Sequence, residues 1–172
     1  MRLCAGSIAT FWVFICVAII AFLFPSTDPR IVFNPTASAP RGWYWVQHRT
    51  VLQVGDYVVA ELPADAAALA DQRHYLPRNV PLLKRIGASF GQQICIVDGA
   101  VYIDNVRVAA VLQSDFSGRP LHAWTQCSTL RINEFFLFNP QLATSFDSRY
   151  FGPIDRVAVH GRAIPLWTWS AP

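Results

Sequence analysis

A single lysine, Lys84, stands among fourteen basic residues of which the other thirteen are arginines. A guanidinium stays charged in proteins, whereas a buried ammonium can lose its proton and then act as a general base. The neighbours of Lys84 in the segment 81–88 (PLLKRIGA) are mainly apolar, which favours such burial. The alternative interpretation is a surface lysine whose aliphatic stem alone is buried.

Ser38 is the candidate nucleophile that such a base would activate. It lies between Ala37 and Ala39 in the segment 34–44 (NPTASAPRGWY), where two prolines stiffen the backbone around it. Because its neighbours are small, its hydroxyl would be sterically open. An ordinary serine in an exposed polar loop is the alternative, and composition alone favours it.

A third segment whose side chains could take part in a reaction covers residues 145–154 (SFDSRYFGPI). Asp147 and Arg149 have the spacing to pair and brace a loop, and Ser145 and Ser148 add hydroxyl groups. A loop held by an ion pair is the plain interpretation, and it is compatible with an enzyme.

An apolar run of residues 3–24 lies near the amino terminus, with no charged residue between Arg2 and Asp28. Its twenty-two residues would form a helix of about 33 Å, enough to cross a hydrocarbon core of roughly 30 Å. We therefore expect residues 1–28 to be a short cytoplasmic stub and a transmembrane anchor. Residues 29–172 would form a domain in the periplasm or cell exterior. A cleaved signal peptide is the alternative, but its apolar region is usually shorter.

The composition excludes several classes of function. Hydrophobic residues make up 53% of the 172 residues and charged residues 15%, and the net charge of +3 includes no run of Lys or Arg, so a nucleic-acid partner is not expected. No metal-ligand or nucleotide-binding spacing occurs, so neither a metal nor another cofactor is expected. An oxidising compartment would allow Cys95 and Cys127 to form a disulfide.

The outer domain is predicted to be mainly antiparallel β, with one short helix over Pro63–Tyr75. Asp98-Gly99, Asp104-Asn105 and Gly161 are predicted to be hairpin turns. Exposed aromatic side chains in this domain would settle at a lipid interface, while the alternative places them in core strands; they are Trp43, Tyr44, Trp45, Trp167 and Trp169. The predicted strands are Trp43–His48, Tyr57–Leu62, Gln93–Val97, Val101–Ile103, Val106–Leu112, Glu134–Phe138, Val157–His160 and Ala163–Trp169.

Four motifs, in this order, resemble those of the type I signal peptidase family, which are serine endopeptidases with a Ser/Lys dyad. They are Ser38-Ala39-Pro40, Gly55-Asp56-Tyr57-Val58, Lys84-Arg85-Ile86-Gly87 and the run from Ser145 to Gly152. The alternating run from Asn34 to Tyr44 is similar to the TraF-type branch of conjugative transfer systems. The resemblance implies a signal-peptidase-like antiparallel β domain after a single transmembrane helix.

The same resemblance assigns roles to residues that match the family motifs. Ser38 would be the nucleophile and Lys84 the base. The Thr36 hydroxyl and the Ser38 backbone N–H would form the oxyanion hole. Ser145 would orient the lysine, and Asp147 and Arg149 would brace its loop.

Two positions depart from the general family pattern. Ala39 replaces the methionine that often follows the nucleophile, and residues 139–141 (NPQ) replace Gly-Asp-Asn. These departures put the usual preprotein specificity in doubt, but not the dyad.

By resemblance, the expected activity is processing of a pilin precursor of a conjugative transfer system, with hydrolysis and cyclisation of the product both open. The expected partners are this substrate or another preprotein, the inner membrane and the transfer apparatus. A general signal peptidase for secreted proteins and an inactive β scaffold of a secretion or pilus machine are the alternatives.

Overall fold

Eleven β-strands make up most of the regular secondary structure in the computed structural model, which describes residues 10–13, 15, 30–48 and 50–169. In chain order the elements are β1 (Ile31–Asn34), β2 (Arg41–Gln47), β3 (Tyr57–Ala60), α1 (Ala64–Gln72), β4 (Leu82–Ala88), β5 (Gln93–Val97), β6 (Ala100–Ile103), β7 (Val106–Ala110), β8 (Cys127–Thr129), β9 (Glu134–Leu137), α2 (Ser148–Phe151), β10 (Ile154–Asp155), a 3₁₀ turn (Arg156–Ala158) and β11 (Val159–Trp169).

The strands form two antiparallel sheets. The larger has the order β1-β2-β11-β3-β4-β9-β10, and the smaller has the order β7-β6-β5-β8. The prediction of a mainly antiparallel β domain is therefore confirmed. Because β11 lies between β2 and β3, the last strand of the described chain joins the two halves of the larger sheet.

Two of the three predicted hairpin turns are confirmed. Asp98-Gly99 connects β5 to β6, and Asp104-Asn105 connects β6 to β7. All four residues have positive φ angles between 48° and 69°, the left-handed conformation that asparagine, aspartate and glycine tolerate and that type I′ hairpins require.

The predicted turn at Gly161 is wrong, because Gly161 lies inside the eleven-residue strand β11. There the register against β3 shifts between Val159 and Gly161. A Cβ atom at Gly161 would lie 2.5 Å from the carbonyl oxygen of Gln47 on β2. The glycine therefore marks a close approach of two strands at an irregularity, not a reversal of the chain.

The predicted helix is present but shorter than expected. It covers Ala64–Gln72, with Pro63 at its N-cap, and ends three residues before Tyr75. Neither α2 nor the strands β1, β4, β8 and β10 were predicted from the sequence. Of these, β4 matters most for the candidate site, because it carries Lys84.

Burial divides the aromatic residues for which a lipid interface and core strands were the two interpretations. Along β2 the side chains alternate, so Tyr44 is fully buried while Trp43 and Trp45 are exposed. Trp167 and Trp169 of β11 are also exposed. The four tryptophans thus lie on solvent-facing sides of strands, and Tyr44 belongs to the core.

Most of the predicted membrane anchor lies outside the described residues. Residues 10–13 and 15 are helical. Across the described parts of the chain, no helix is both long and apolar enough to cross a bilayer.

Candidate active site

Lys84 lies in the middle of β4, which pairs with β3 on one side and β9 on the other. Its side chain points into the protein, with Leu83 and Ile86 buried beside it, and only 4% of Lys84 is exposed. Burial lowers the pKa of the Lys84 ammonium from 10.5 to about 8. The carboxylate of Asp147 opposes this shift and the guanidinium of Arg149 adds to it.

The amine of Lys84 donates a hydrogen bond to the hydroxyl of Ser145, with Nζ and Oγ 2.5 Å apart. Ser145 is 4% exposed and is held from two directions. Its backbone N–H donates to the carbonyl of Leu142, and its own carbonyl accepts from the Arg149 guanidinium at 3.1 Å. These two bonds hold the backbone of Ser145 beside the lysine amine.

Arg149 and Asp147 form an ion pair with no exposed surface. The carboxylate accepts from Nε and Nη2 of Arg149 at 2.7 and 2.8 Å, and the remaining guanidinium N–H groups donate to backbone carbonyls of Ala110, Leu142 and Ser145. A buried pair needs this degree of hydrogen bonding to offset its desolvation. It fixes the loop that carries Ser145.

The last motif also depends on Gly152, which ends α2 with a φ of +78°. A Cβ atom there would lie 2.7 Å from the indole Nε1 of Trp124. Only glycine fits both the left-handed backbone and the packed indole.

Ser38 lies in the loop between β1 and β2 and is 8% exposed. Its Oγ lies 2.9 Å from Thr36 Oγ1 and 3.4 Å from the carbonyl oxygen of Leu83, the residue before Lys84. In the described part of the chain no hydrogen bond joins Ser38 Oγ to Lys84 Nζ. The hydroxyl thus reaches the backbone of the strand that carries the lysine.

Asn34, at the end of β1, organises the loop around Ser38. It is 5% exposed, and its Nδ2 lies 3.0 Å from the carbonyl oxygens of Thr36 and Ala39 and 3.2 Å from that of Pro40. Its Oδ1 accepts from the Thr36 backbone N–H at 3.2 Å and from the Thr36 hydroxyl at 2.9 Å. Asn34 belongs to one of the sequence motifs, but no role was predicted for it.

Asn139 also contacts the loop that carries Ser38. It follows β9, and its Nδ2 donates to the carbonyl of Ser38 at 3.0 Å. Its Oδ1 accepts from the backbone N–H of Gln141 at 2.9 Å. In the sequence this position is only a departure from the general family pattern, and no local signal indicates a contact across 101 residues.

The two predicted oxyanion donors differ in the hydrogen bonds that they already make. The backbone N–H of Ser38 donates to no group within residues 30–48 and 50–169. The Thr36 hydroxyl donates to Asn34 and contacts Ser38 Oγ. It must turn away from Asn34 before it can donate to an oxyanion.

A cavity of about 640 Å³ brings these groups together. Thr36, Ser38, Lys84 and Ser145 all line it, and the rest of its wall is mostly apolar. The apolar wall comes from β1, from the residues before and after α1, from the start of β4, and from the loops that follow β7 and precede α2. Its residues are Val32, Phe33, Leu62, Leu76, Pro77, Val80, Pro81, Leu82, Phe116, Leu121, Leu142 and Phe146. Such a cavity suits an apolar peptide segment.

Among the residues that line the cavity, Tyr75, after α1, is hydrogen-bonded to the loop 114–120. The Tyr75 hydroxyl and Arg119 Nε donate to the carboxylate of Asp115, the latter at 2.7 Å. Burial by itself would raise the pKa of Asp115, but these hydrogen bonds outweigh it and hold the pKa well below its usual range. Phe116, 81% exposed, projects from this firmly held loop beside the cavity.

A disulfide links the edge strand β8 of the smaller sheet to its neighbour β5. Cys95 on β5 and Cys127 on β8 are directly paired in register, with their Cα atoms 4.1 Å apart, and their sulfurs are bonded. Among the described residues, no group of three or more His, Cys, Asp or Glu side chains is arranged to hold a metal ion.

Comparison with known proteins places the chain in a family of peptidases. The family described as "Signal peptidase, peptidase S26" matches residues 4–169, and the chain belongs to it. This confirms the resemblance inferred from the motifs.

Two relatives of the chain are named for plasmid or conjugal transfer. The chain is 32% identical over 147 residues to the "Plasmid transfer protein TraF" of Escherichia coli, covering 79% of this chain and 82% of that one. It is 33% identical over 146 residues to the "Conjugal transfer protein TraF" of Agrobacterium tumefaciens (strain 15955), covering 79% and 81%.

Among solved structures, a signal peptidase I from Enterococcus faecalis V583 aligns with a TM-score of 0.40 at 21% identity, over 66% of this chain and 97% of that chain.

Proposed function

We propose that this chain is a membrane-anchored serine endopeptidase with a Ser38/Lys84 dyad, and that it processes the pilin precursor of a conjugative transfer system. The observation that carries the proposal is the buried amine of Lys84, held by Ser145 in the cavity that Ser38 also lines. The relatives named for plasmid and conjugal transfer support the choice of system.

The first half of the reaction forms an acyl-enzyme. Neutral Lys84 accepts the hydroxyl proton of Ser38 as Oγ attacks the scissile carbonyl carbon. The negative charge that develops on the carbonyl oxygen is stabilised by the Ser38 N–H and by the Thr36 hydroxyl. The ammonium of Lys84 then gives its proton to the leaving amine, so that the C–N bond breaks and the acyl group stays on Ser38.

The second half releases the new carboxyl end. Neutral Lys84 removes a proton from water, which attacks the ester carbonyl, and the proton returns to Ser38 Oγ as the ester bond breaks. An amino terminus of the pilin can attack in place of water and gives a cyclic product by the same proton transfers. Ser145 keeps the amine aimed in both halves, because its hydroxyl accepts one N–H of Lys84.

The exposed tryptophans support an association with a bilayer. Trp43 lies beside Phe33, with ring centroids 5.0 Å apart, and Phe33 also contacts Trp169 at 6.2 Å. Tryptophan is enriched where protein meets the lipid interface. We therefore propose an inner-membrane protein whose catalytic domain lies in the periplasm, where the Cys95–Cys127 disulfide would be stable.

The test is to incubate the full-length protein in detergent micelles with the pilin precursor of the same transfer system and to weigh the products by mass spectrometry. Linear products establish hydrolysis. A product that is lighter than its linear form by the mass of one water establishes cyclisation. Parallel incubation with a general secretory preprotein separates a dedicated pilin peptidase from a general signal peptidase.

Variants decide whether the dyad is responsible. Ser38→Ala and Lys84→Arg should abolish cleavage, because the first lacks the nucleophile and the second retains charge but has no usable base. Arg85→Lys is the matched control, since it makes the reverse exchange on the exposed side of the same strand. Cleavage that persists in both dyad variants would refute the dyad, and a wild type that cleaves neither substrate would favour the inactive scaffold.

A further inference from the structure

The peptide group that carries the free N–H of Ser38 lies between two peptide groups whose carbonyls are held by asparagines. On one side, Asn34 accepts from the Thr36 backbone and donates to its carbonyl. On the other, Asn139 donates to the carbonyl of Ser38 itself. Because both flanking peptide planes are fixed, the plane between Ala37 and Ser38 has little freedom left to rotate.

We propose that Asn139 is a positioning residue for acyl transfer, which holds the Ser38 carbonyl so that the Ser38 amide N–H and hydroxyl face the scissile carbonyl of the substrate. This inference rests on the proposed function. It also gives a physical meaning to the residues 139–141, where the chain departs from the Gly-Asp-Asn pattern of the general family.

Asn139 is suited to this task because every polar group of its side chain and its backbone N–H is engaged. Oδ1 accepts from Gln141, Nδ2 donates to Ser38, and the backbone N–H of Asn139 donates to the carboxylate of Asp147 at 3.3 Å. That carboxylate belongs to the buried pair that braces the loop of Ser145. Asn139 therefore joins the nucleophile's loop to the segment that orients the base.

The expected effect comes from how steeply acyl transfer depends on geometry. A displacement of about 1 Å at a reacting group can cost about 100-fold in rate. Loss of one oxyanion donor costs about 100- to 1,000-fold. Because Asn34 still holds the neighbouring carbonyls, we expect Asn139→Ala to lower kcat about 10- to 100-fold. KM should change by less than about twofold, since Asn139 does not line the cavity.

A second substitution separates positioning from charge. Asn139→Asp keeps an acceptor for Gln141 but presents an oxygen instead of an N–H to the Ser38 carbonyl. It should lower kcat at least as much as Asn139→Ala. Its carboxylate should also raise the pKa of Lys84, whereas Asn139→Ala should leave the midpoint of the pH–rate profile unchanged.

The control is Asn133→Ala, the same chemical change in an exposed asparagine of the turn before β9. Full-length wild type and all three variants are compared in detergent micelles on the same pilin precursor. The measurements are kcat, KM, the pH–rate profile and the melting temperature by circular dichroism. A loss of kcat in Asn139→Ala, with KM, the pH midpoint and melting temperature held near wild type and Asn133→Ala unaffected, supports the proposal.

Two results would overturn it. If Asn139→Ala retains kcat within twofold of a wild type whose cleavage depends on Ser38, positioning by Asn139 is refuted and the proposed function stands. If the wild type shows no cleavage that depends on Ser38, the proposed function fails and this inference fails with it.

Discussion

The activity should depend on pH through the protonation of Lys84. Burial lowers the pKa of this residue from 10.5 to about 8. With a pKa of about 8, roughly one molecule in ten carries a neutral lysine at pH 7, against about one in 3,000 at the ordinary value. Burial thus raises the fraction of neutral Lys84 at pH 7 by about 300-fold, which the proposed dyad requires.

The rate should follow this fraction. We expect kcat/KM to rise about tenfold per pH unit from pH 6 towards 8 and to level off above it, because kcat/KM reports the pKa values of the free enzyme. Initial rates of pilin-precursor cleavage by the full-length protein, measured in detergent micelles from pH 6 to 10, give the profile. The Arg85→Lys variant, which adds an exposed lysine on the same strand, should have the same midpoint.

A profile that is flat between pH 6 and 9 would refute a lysine base with a lowered pKa. A value of kcat/KM that still rises about tenfold per pH unit up to pH 10 would show that Lys84 is hydrated in the free enzyme, so that burial does not set its pKa. Either result would remove the physical basis of the proposed dyad.

Three further predictions concern stability and the oxyanion hole. The folded pKa of Lys84 lies below the unfolded value, so the folded state binds fewer protons between pH 8 and 10.5, and the contribution of Lys84 to stability rises with pH there. Lys84→Met should therefore be more stable than wild type at pH 7, and this difference in the free energy of unfolding should shrink by about 3 kcal/mol by pH 10.5 in urea titrations. Thr36→Val should lower kcat about 100- to 1,000-fold while Thr36→Ser changes it little; equal rates in both would exclude Thr36 as an oxyanion donor. Asp147→Asn leaves the buried Arg149 cation without its anion and should cost about 3–5 kcal/mol in urea unfolding, whereas an unchanged midpoint would contradict a structural role for the pair.

Much of the domain could be predicted from local sequence signals. The Asp98-Gly99 and Asp104-Asn105 turns were predictable because their conformation depends on residues adjacent in the chain. The strand β4 was not, since the apolar run around Lys84 has no alternation and its burial comes from β3 and β9 on either side.

In the candidate site, too, the sequence indicated some residues, while other contacts depend on the folded structure. Motif resemblance pointed to Ser38, Lys84 and Ser145, and the structure brings all three to one cavity. The contact of Asn139 with the Ser38 carbonyl was not predictable, because it spans 101 residues and depends on how two loops meet. The same holds for the Thr36 hydroxyl, whose bond to Asn34 is a matter of loop geometry.

The larger sheet depends on the last strand of the described chain. Ser38 precedes β2 and Lys84 lies on β4, and the hydrogen-bonded path from β2 to β4 within the sheet runs through β11 and β3. A partly synthesised chain that ends before Val159 lacks the strand that aligns β2 with β3. The sheet that aligns the loop of Ser38 with the strand of Lys84 therefore needs the part of the chain that is synthesised last among the described residues.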